Sequence, residues 1–246
     1  MPPSLLETVA LSVPKAGHRP DENEDAHAAA GGRVAAADGA SEGWASGPWA
    51  RALAAAYVAG PPAPDTFPGW LAAARGGFGP PAAAGAWYAE LKQEQGAFAT
   101  LLGLTVEPAK AGGVRWRAAA VGDTCLFQVR TGNLLARFPV ETPDGFSNHP
   151  PLIGSAAGAA PPPEWYAGRA EPGDVFYLLT DALAEWFLRA AAAGAAPWAD
   201  LDRATTGPGD PSAAFAAWVE SLRGPRLVRN DDCTAVRIRV LPPGGA

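Results

Sequence analysis

Apolar and polar positions recur along the chain with a period that changes along its length. ETVALSV (Glu7–Val13) and GRVAAAD at 32–38 are short, apolar segments with the composition of strands. The period then lengthens. From Pro48 to Val58 the apolar residues fall at helical spacing, with proline at a plausible first turn. Further helices are predicted from Pro68 to Ala74 and from Ala82 to Gln95, the latter closed by Gly96. From Ala97 strands return in quick succession as FATLLGLTV, VRWRAAAV, TCLFQVR and NLLARF, with Thr131-Gly132-Asn133 reading as a hairpin turn. In VRWRAAAV, Val114, Trp116, Ala118 and Ala120 alternate against Arg115 and Arg117, as in a half-exposed antiparallel strand. A Pro-rich loop from Pro139 to Pro163 precedes the apolar strand DVFYLLTD. The helices ALAEWFLRAAAAG and PSAAFAAWVESLRG follow, ending at Gly194 and Gly224. TAVRIRVL is the closing strand and PPGGA a frayed tail. Strands flank a helical middle, and no regular βαβ alternation is present. The expected architecture is therefore α+β with a mainly antiparallel sheet, in one domain over residues 1–246 with its core at about 9–240.

Composition narrows this picture. The 29 glycines and 26 prolines in 246 residues fall short of the ~25–30% share that signals disorder. A hydrophobic share of 48%, with nine Trp and nine Phe, supports a real core. No apolar run approaches the ~18–20 residues that span a bilayer, and the N-terminus lacks the basic leader and apolar stretch of a secretory signal. The net charge is −6, and the densest basic cluster is Arg223, Arg226 and Arg229, too thin for a duplex-binding patch. Neither nucleic acid nor membrane is expected as a partner. Cys125 and Cys233 sit in apolar strand-like runs and read as free buried thiols in a reducing cytoplasm, with a single disulfide between them as the alternative reading.

Acidic residues stand where core strands meet turns. Asn23-Glu24-Asp25 precedes a strand; Asp38, Asp123 and Asp181 end strands; Asn230-Asp231-Asp232 precedes the last one. A carboxylate at a buried strand end is costly to desolvate unless it is paired or binds a cation. Any one of these aspartates reads as a turn residue or a helix cap. Five such positions, with few basic residues nearby, point together to an oxygen-rich site for Mg²⁺ or Mn²⁺. Asp21, Asn23 and Asp25 match the first ligands of an EF-hand loop, but Ala26 and Gly32 replace its glycine and its bidentate glutamate. That reading fails.

The ordered set Glu24-Asp25-Ala26, Ala37-Asp38-Gly39, Val121-Gly122-Asp123-Thr124, Leu179-Thr180-Asp181 and Asp231-Asp232-Cys233-Thr234 resembles the metal-dependent protein phosphatases of type 2C, in their short bacterial form. The apolar Ala99-Thr100-Leu101-Leu102 falls where that family has a core strand. The resemblance implies a four-layer α-β-β-α sandwich with two central, mainly antiparallel sheets and a binuclear Mn²⁺ or Mg²⁺ centre at one edge. By the same resemblance Asp38 bridges the metals and the Gly39 carbonyl binds one of them. Asp181 and Asp231 hold the other, Asp25 steadies bound waters beside Glu24, and Asp123 serves an additional, weaker metal position. Two cations about 3.5–4 Å apart generate a hydroxide at neutral pH and clamp phosphoryl oxygens for in-line attack.

The implied reaction is hydrolysis of phosphoserine and phosphothreonine on proteins, opposing a Ser/Thr kinase. Arg19, six residues before Asp25, falls about one position from the family's phosphate-binding arginine. The chain departs from the pattern at Ala182, where glycine is usual, and at Ala40-Ser41-Glu42, where eukaryotic members carry histidine. The general acid is left open between water and His18. Two other readings follow from these departures: a weak or inactive fold acting as a binding module, and a Mg²⁺ or Mn²⁺ phosphohydrolase of small molecules.

Overall fold

The computed structural model of the protein describes residues 5–41, 43–80, 96–109, 113–207 and 209–242. The helix expected at Ala82–Gln95 and nearly all of the C-terminal tail lie outside these residues. Period-2 patterning decides which side of each strand meets which layer. In sheet order, the first sheet is β1 (Leu6–Val13), β12 (Cys233–Val240), β11 (Val175–Leu179), β7 (Cys125–Arg130) and β8 (Asn133–Phe138). The second is β10 (Glu164–Ala170), β6 (Val114–Val121), β5 (Leu101–Pro108), β3 (Arg33–Ala37) and β2 (Ala26–Ala30). Every pairing is antiparallel. Phe176, Leu178, Val236 and Ile238 of the first sheet pack on Leu102, Leu104, Trp116 and Ala118 of the second, forming the central core.

The alternate residues of the same strands face helices. Phe127, Tyr177 and Leu179 pack against α3 (Asp181–Ala192), α4 (Pro197–Thr206) and α5 (Pro211–Arg223). Ala35, Leu101 and Val121 pack against α1 (Ser46–Ala59) and α2 (Phe67–Gly77), with Trp49, Leu53 and Tyr57 filling that layer. Both faces of both sheets are thus covered, which makes an α-β-β-α sandwich. The helical cover also explains β6. Arg115 and Arg117 are exposed as the alternation requires, whereas Ala119 and Val121 are buried.

The expected hairpin forms between β7 and β8. Thr131 and Gly132 take positive φ of 45° and 76°, the left-handed pair that a two-residue turn demands. The expected strand at 98–106 is cut at Thr100. Phe98–Ala99 is a separate short strand, β4, paired with β9 (Ile153–Gly154) inside the Pro-rich segment. Thr100 turns its polar groups toward Asp38 instead, accepting from the Asp38 amide at 3.0 Å and donating its own amide to the Asp38 carbonyl at 2.8 Å.

Candidate active site

Antiparallel pairing brings the beginnings of some strands and the ends of others to one edge of the sandwich, and the acidic residues collect there. Ala26 pairs with Ala37, so Asp25 and Asp38 stand one step beyond that pair on neighbouring strands. Asp123 lies in the turn between β6 and β7, Asp181 opens α3 directly after β11, and Asp231 precedes β12. Asp38, Gly39, Asp123, Asp181 and Asp231 line a cleft of about 470 Å³, whose other wall includes Phe98, Asn148, His149, Pro150 and Leu152.

Close packing fixes two glycines here. A Cβ on Gly39 would lie 2.8 Å from the Glu24 carbonyl oxygen and 2.8 Å from the Ser46 carbonyl carbon, so only glycine lets these three backbones meet. Gly122, just before Asp123, has φ +99° and would drive a Cβ to 2.5 Å from Thr100. The two sheets are joined at the site by Thr180, whose hydroxyl donates to Asp25 Oδ2 at 3.0 Å and accepts from the Thr234 amide at 2.9 Å. Asp232 is buried and accepts from the amides of Lys15 and Glu24, each at 2.8 Å, tying the loop after β1 to the Glu24-Asp25 turn.

The electrostatics are those of crowded, desolvated anions. Burial pushes the Asp25 carboxyl up to about 7, helped by the charges of Asp232 and Asp231 and opposed by the Thr234 and Thr180 hydrogen bonds. Burial raises Asp123 to about 6. Asp38 is held well above the usual carboxylate range by burial and by the charges of Asp25, Asp231 and Asp123. Asp25 Oδ1, both Asp123 carboxylate oxygens and Asp181 Oδ1 are buried without a hydrogen-bond partner among the described residues. Unpaired buried anionic oxygens are strongly unfavourable. A divalent cation would relieve them, and an all-oxygen set of carboxylates with the Gly39 carbonyl suits Mg²⁺ or Mn²⁺. As the side chains stand, no three acidic, imidazole or thiol groups among the described residues already surround one point as a metal's ligands do. Protein cations stand at the cluster instead: Arg229 pairs with Asp181 and lies 3.6 Å from Asp231, and Lys15 Nζ lies 3.1 Å from Asp231.

No protein-family model matches the chain, and no curated protein matches it in sequence. Solved structures do match. The Mycobacterium tuberculosis serine/threonine phosphatase PstP/Ppp superposes with a TM-score of 0.60 at 18% identity, covering 96% of this chain and 99% of that one. PppA, described as a key regulatory component of T6SS in Pseudomonas aeruginosa, gives 0.60 at 20% identity over 97% and 99%. The catalytic domain of PstP in complex with two manganese ions gives 0.58 at 20% identity over 96% and 98%. The chain has the PPM phosphatase fold.

Within the PPM fold the sequence-expected residues divide. Asp38, Gly39, Asp123, Asp181 and Asp231 share one cleft, and Asp25 and Glu24 adjoin it, Asp25 through its charge on Asp38. Arg19 does not join them. Its side chain is 73% exposed and its guanidinium is held by Asp21 and Glu22, in the 3₁₀ turn Pro20–Glu22. Proline at the first position of that turn and two acidic residues behind it turn Arg19 back on its own loop. His18 is likewise exposed and off the cleft lining, whereas His149 is on it. Ala182 lies in the first turn of α3 and is not among the positive-φ residues, so its methyl meets no backbone strain. Lys15 and Arg229 are the site residues that sequence reasoning missed. Lys15 is a lone basic residue in a loop, and Arg229 one of a thin cluster of three arginines, until the fold sets each against an aspartate.

Proposed function

We propose that the protein is a metal-dependent phosphatase of phosphoserine and phosphothreonine in proteins, acting at this cleft. The observation that carries the proposal is the set of buried carboxylate oxygens without partners at the cleft, on a fold shared with PPM phosphatases. Asp38, Asp181, Asp231 and the Gly39 carbonyl would hold two Mn²⁺ or Mg²⁺ ions, and Asp123 a third, weaker one. When bound, such ions supply Lewis acidity toward a phosphoryl group and acidify water at neutral pH.

The chain's own residues do the rest. Asp25, oriented by Thr180, presents its second carboxylate oxygen as an acceptor for water at the site. Glu24 stands beside it, its carboxyl raised by burial and steadied by Ser41 and Lys15. Arg229, paired with Asp181 at the edge of the cleft, offers a guanidinium for phosphate oxygens in the role expected of Arg19. His149 hands a proton to the departing serine or threonine oxygen. Phe98 and Leu152 give the substrate's aliphatic carbons an apolar wall. The implied partner is a phosphoprotein that a Ser/Thr kinase modifies, and the two buried free thiols fit a reducing cytoplasm.

The deciding experiment measures phosphate release from p-nitrophenyl phosphate and from a phosphothreonine peptide, with Mn²⁺ and with EDTA. Release is expected on both substrates with Mn²⁺ and on neither with EDTA. Full turnover in chelated protein would overturn the proposal.

A further inference from the structure

A second cleft, about 700 Å³, lies against the first. Its walls are the end of α5 with the loop that follows it, and one face of α3. It is lined by Arg189, Arg223, Arg226 and Arg229, against the carboxylates Glu185 and Glu220. On a chain of net charge −6 this lining carries more basic than acidic side chains. The two clefts share a wall, because Arg229 lines the second while its guanidinium pairs with Asp181 and Asp231 of the first.

The cleft is rigidly built. Arg223 donates to the backbone carbonyls of Pro14 at 3.0 Å and Asp231 at 2.5 Å, and its side chain is only 7% exposed. Asn230 accepts from the Ala16 amide at 2.8 Å and closes the loop onto the site. Three of the four guanidinium groups are partly neutralised, Arg189 by Glu185, Arg223 by Glu220 and Arg229 by Asp181 and Asp231. Arg226 is not: it is exposed and makes no ion pair among the described residues. Its backbone has φ 60°, a left-handed conformation that asparagine, aspartate or glycine adopts more readily than arginine. Leu227 beside it is 54% exposed and gives the groove an apolar lip.

We propose that this second cleft binds an acidic segment of the phosphoprotein substrate, next to the phosphorylated residue held in the first. The inference rests on the phosphatase reading of the first cleft and names the substrate class that reading leaves open. Charge complementarity and the shared Arg229 wall carry it. A carboxylate side chain close to the phosphorylated residue would meet Arg226, while the adjoining backbone lies along Leu227.

The test compares matched phosphothreonine peptides whose flanking residues are glutamates, glutamines or lysines. For the wild-type protein with Mn²⁺, kcat/KM is expected to be about five-fold higher for the glutamate peptide than for the glutamine one, as exposed ion pairs allow. The gain should appear in KM and shrink as salt is raised. Arg226→Asn keeps a residue suited to the left-handed backbone. It should bring the ratio close to one while leaving p-nitrophenyl phosphate turnover unchanged. Arg226→Asp should turn the preference toward the lysine peptide. Equal rates on all three peptides, or a preference that neither variant alters, would overturn the inference. If no substrate is turned over at all, the phosphatase reading fails. Fluorescence anisotropy of the same peptides, labelled, then decides the second cleft by itself: tighter binding of the glutamate peptide that Arg226→Asn abolishes supports it, and indifference to flanking charge overturns it.

Discussion

Asp38 and Asp231 share one cleft but differ in company, and that difference predicts their substitutions. Asp38 is crowded by the charges of Asp25, Asp231 and Asp123, whereas Asp231 pairs with Lys15 and Arg229. In metal-free protein Asp38→Ala is expected to hold or raise Tm by relieving repulsion. Asp231→Ala should lower it, because Lys15, its side chain 19% exposed, is left near a lost partner. Both variants should lose nearly all phosphate release; thermal melts in EDTA beside assays in Mn²⁺ check the pair. Ala182→Gly removes a buried methyl from a helix that needs no positive φ. It should cost about 1 kcal/mol of stability and change kcat no more than a few-fold. A gain of about a hundred-fold, or roughly 2.7 kcal/mol of barrier, would mean that alanine displaces the Asp181 turn. His149→Ala should slow phosphothreonine hydrolysis by about a hundred-fold while sparing p-nitrophenyl phosphate, whose leaving group needs no proton. Equal losses on the two substrates would remove His149 from the role of acid.

Among the elements, the β7–β11 pair carries a buried ionic lock away from the cleft. Asp174, its side chain fully buried, accepts from Arg130 Nε at 2.7 Å, Arg130 Nη2 at 2.8 Å, Gln128 at 2.8 Å and the Glu171 amide at 3.1 Å. Burial alone would raise its carboxyl. The hydrogen bonds from Arg130, Glu171 and Gln128 outweigh burial and hold it below the usual carboxylate range. A carboxyl with a lowered folded pKa contributes stability that is complete above the unfolded value of about 3.9 and is lost as pH falls through the folded value. Asp174→Ala should therefore lower stability by about 3 kcal/mol near neutral pH, and the gap to wild type should narrow below about pH 4. Urea melts across that range measure both. A gap that stays constant into acid would show that the lock is steric rather than ionic. Elsewhere the legibility of elements followed their burial. β10 reads EWYAGRA and is largely exposed at a sheet edge, so it gives little apolar pattern, and the sequence left 164–170 unassigned. α4, PWADLDRATT, buries only Pro197, Leu201, Ala204 and Thr205, too few to stand out against its polar residues. Both exist because a partner element covers one of their sides.

At the scale of the molecule, two covered sheets make a rigid frame that meets its anionic cluster at one edge, so cation binding and stability are linked. Mn²⁺ bound only by the folded state should raise stability by about 2.7 kcal/mol at a hundred times its Kd. Calorimetric titration and thermal melts with wild type and Asp38→Ala test this. A melting temperature indifferent to Mn²⁺ in the wild type would argue against a metal at the cleft. No helix among the described residues is long and apolar enough to cross a membrane. The sequence by itself determined the strand and helix periods, the α+β class and the aspartates at strand ends, because each depends on residues close in the chain. It also supported free cysteines, and Cys125 and Cys233 are both free and buried. Tertiary structure alone decided that Arg19 turns away, that Thr100 breaks a strand to hold Asp38, and that Lys15 and Arg229 approach Asp231. It alone set Arg226 and its neighbours beside the cleft. These outcomes depend on which loops antiparallel pairing brings to one edge, and a side chain's charge acts on whatever the fold sets within a few ångströms of it, however far away that group lies in sequence.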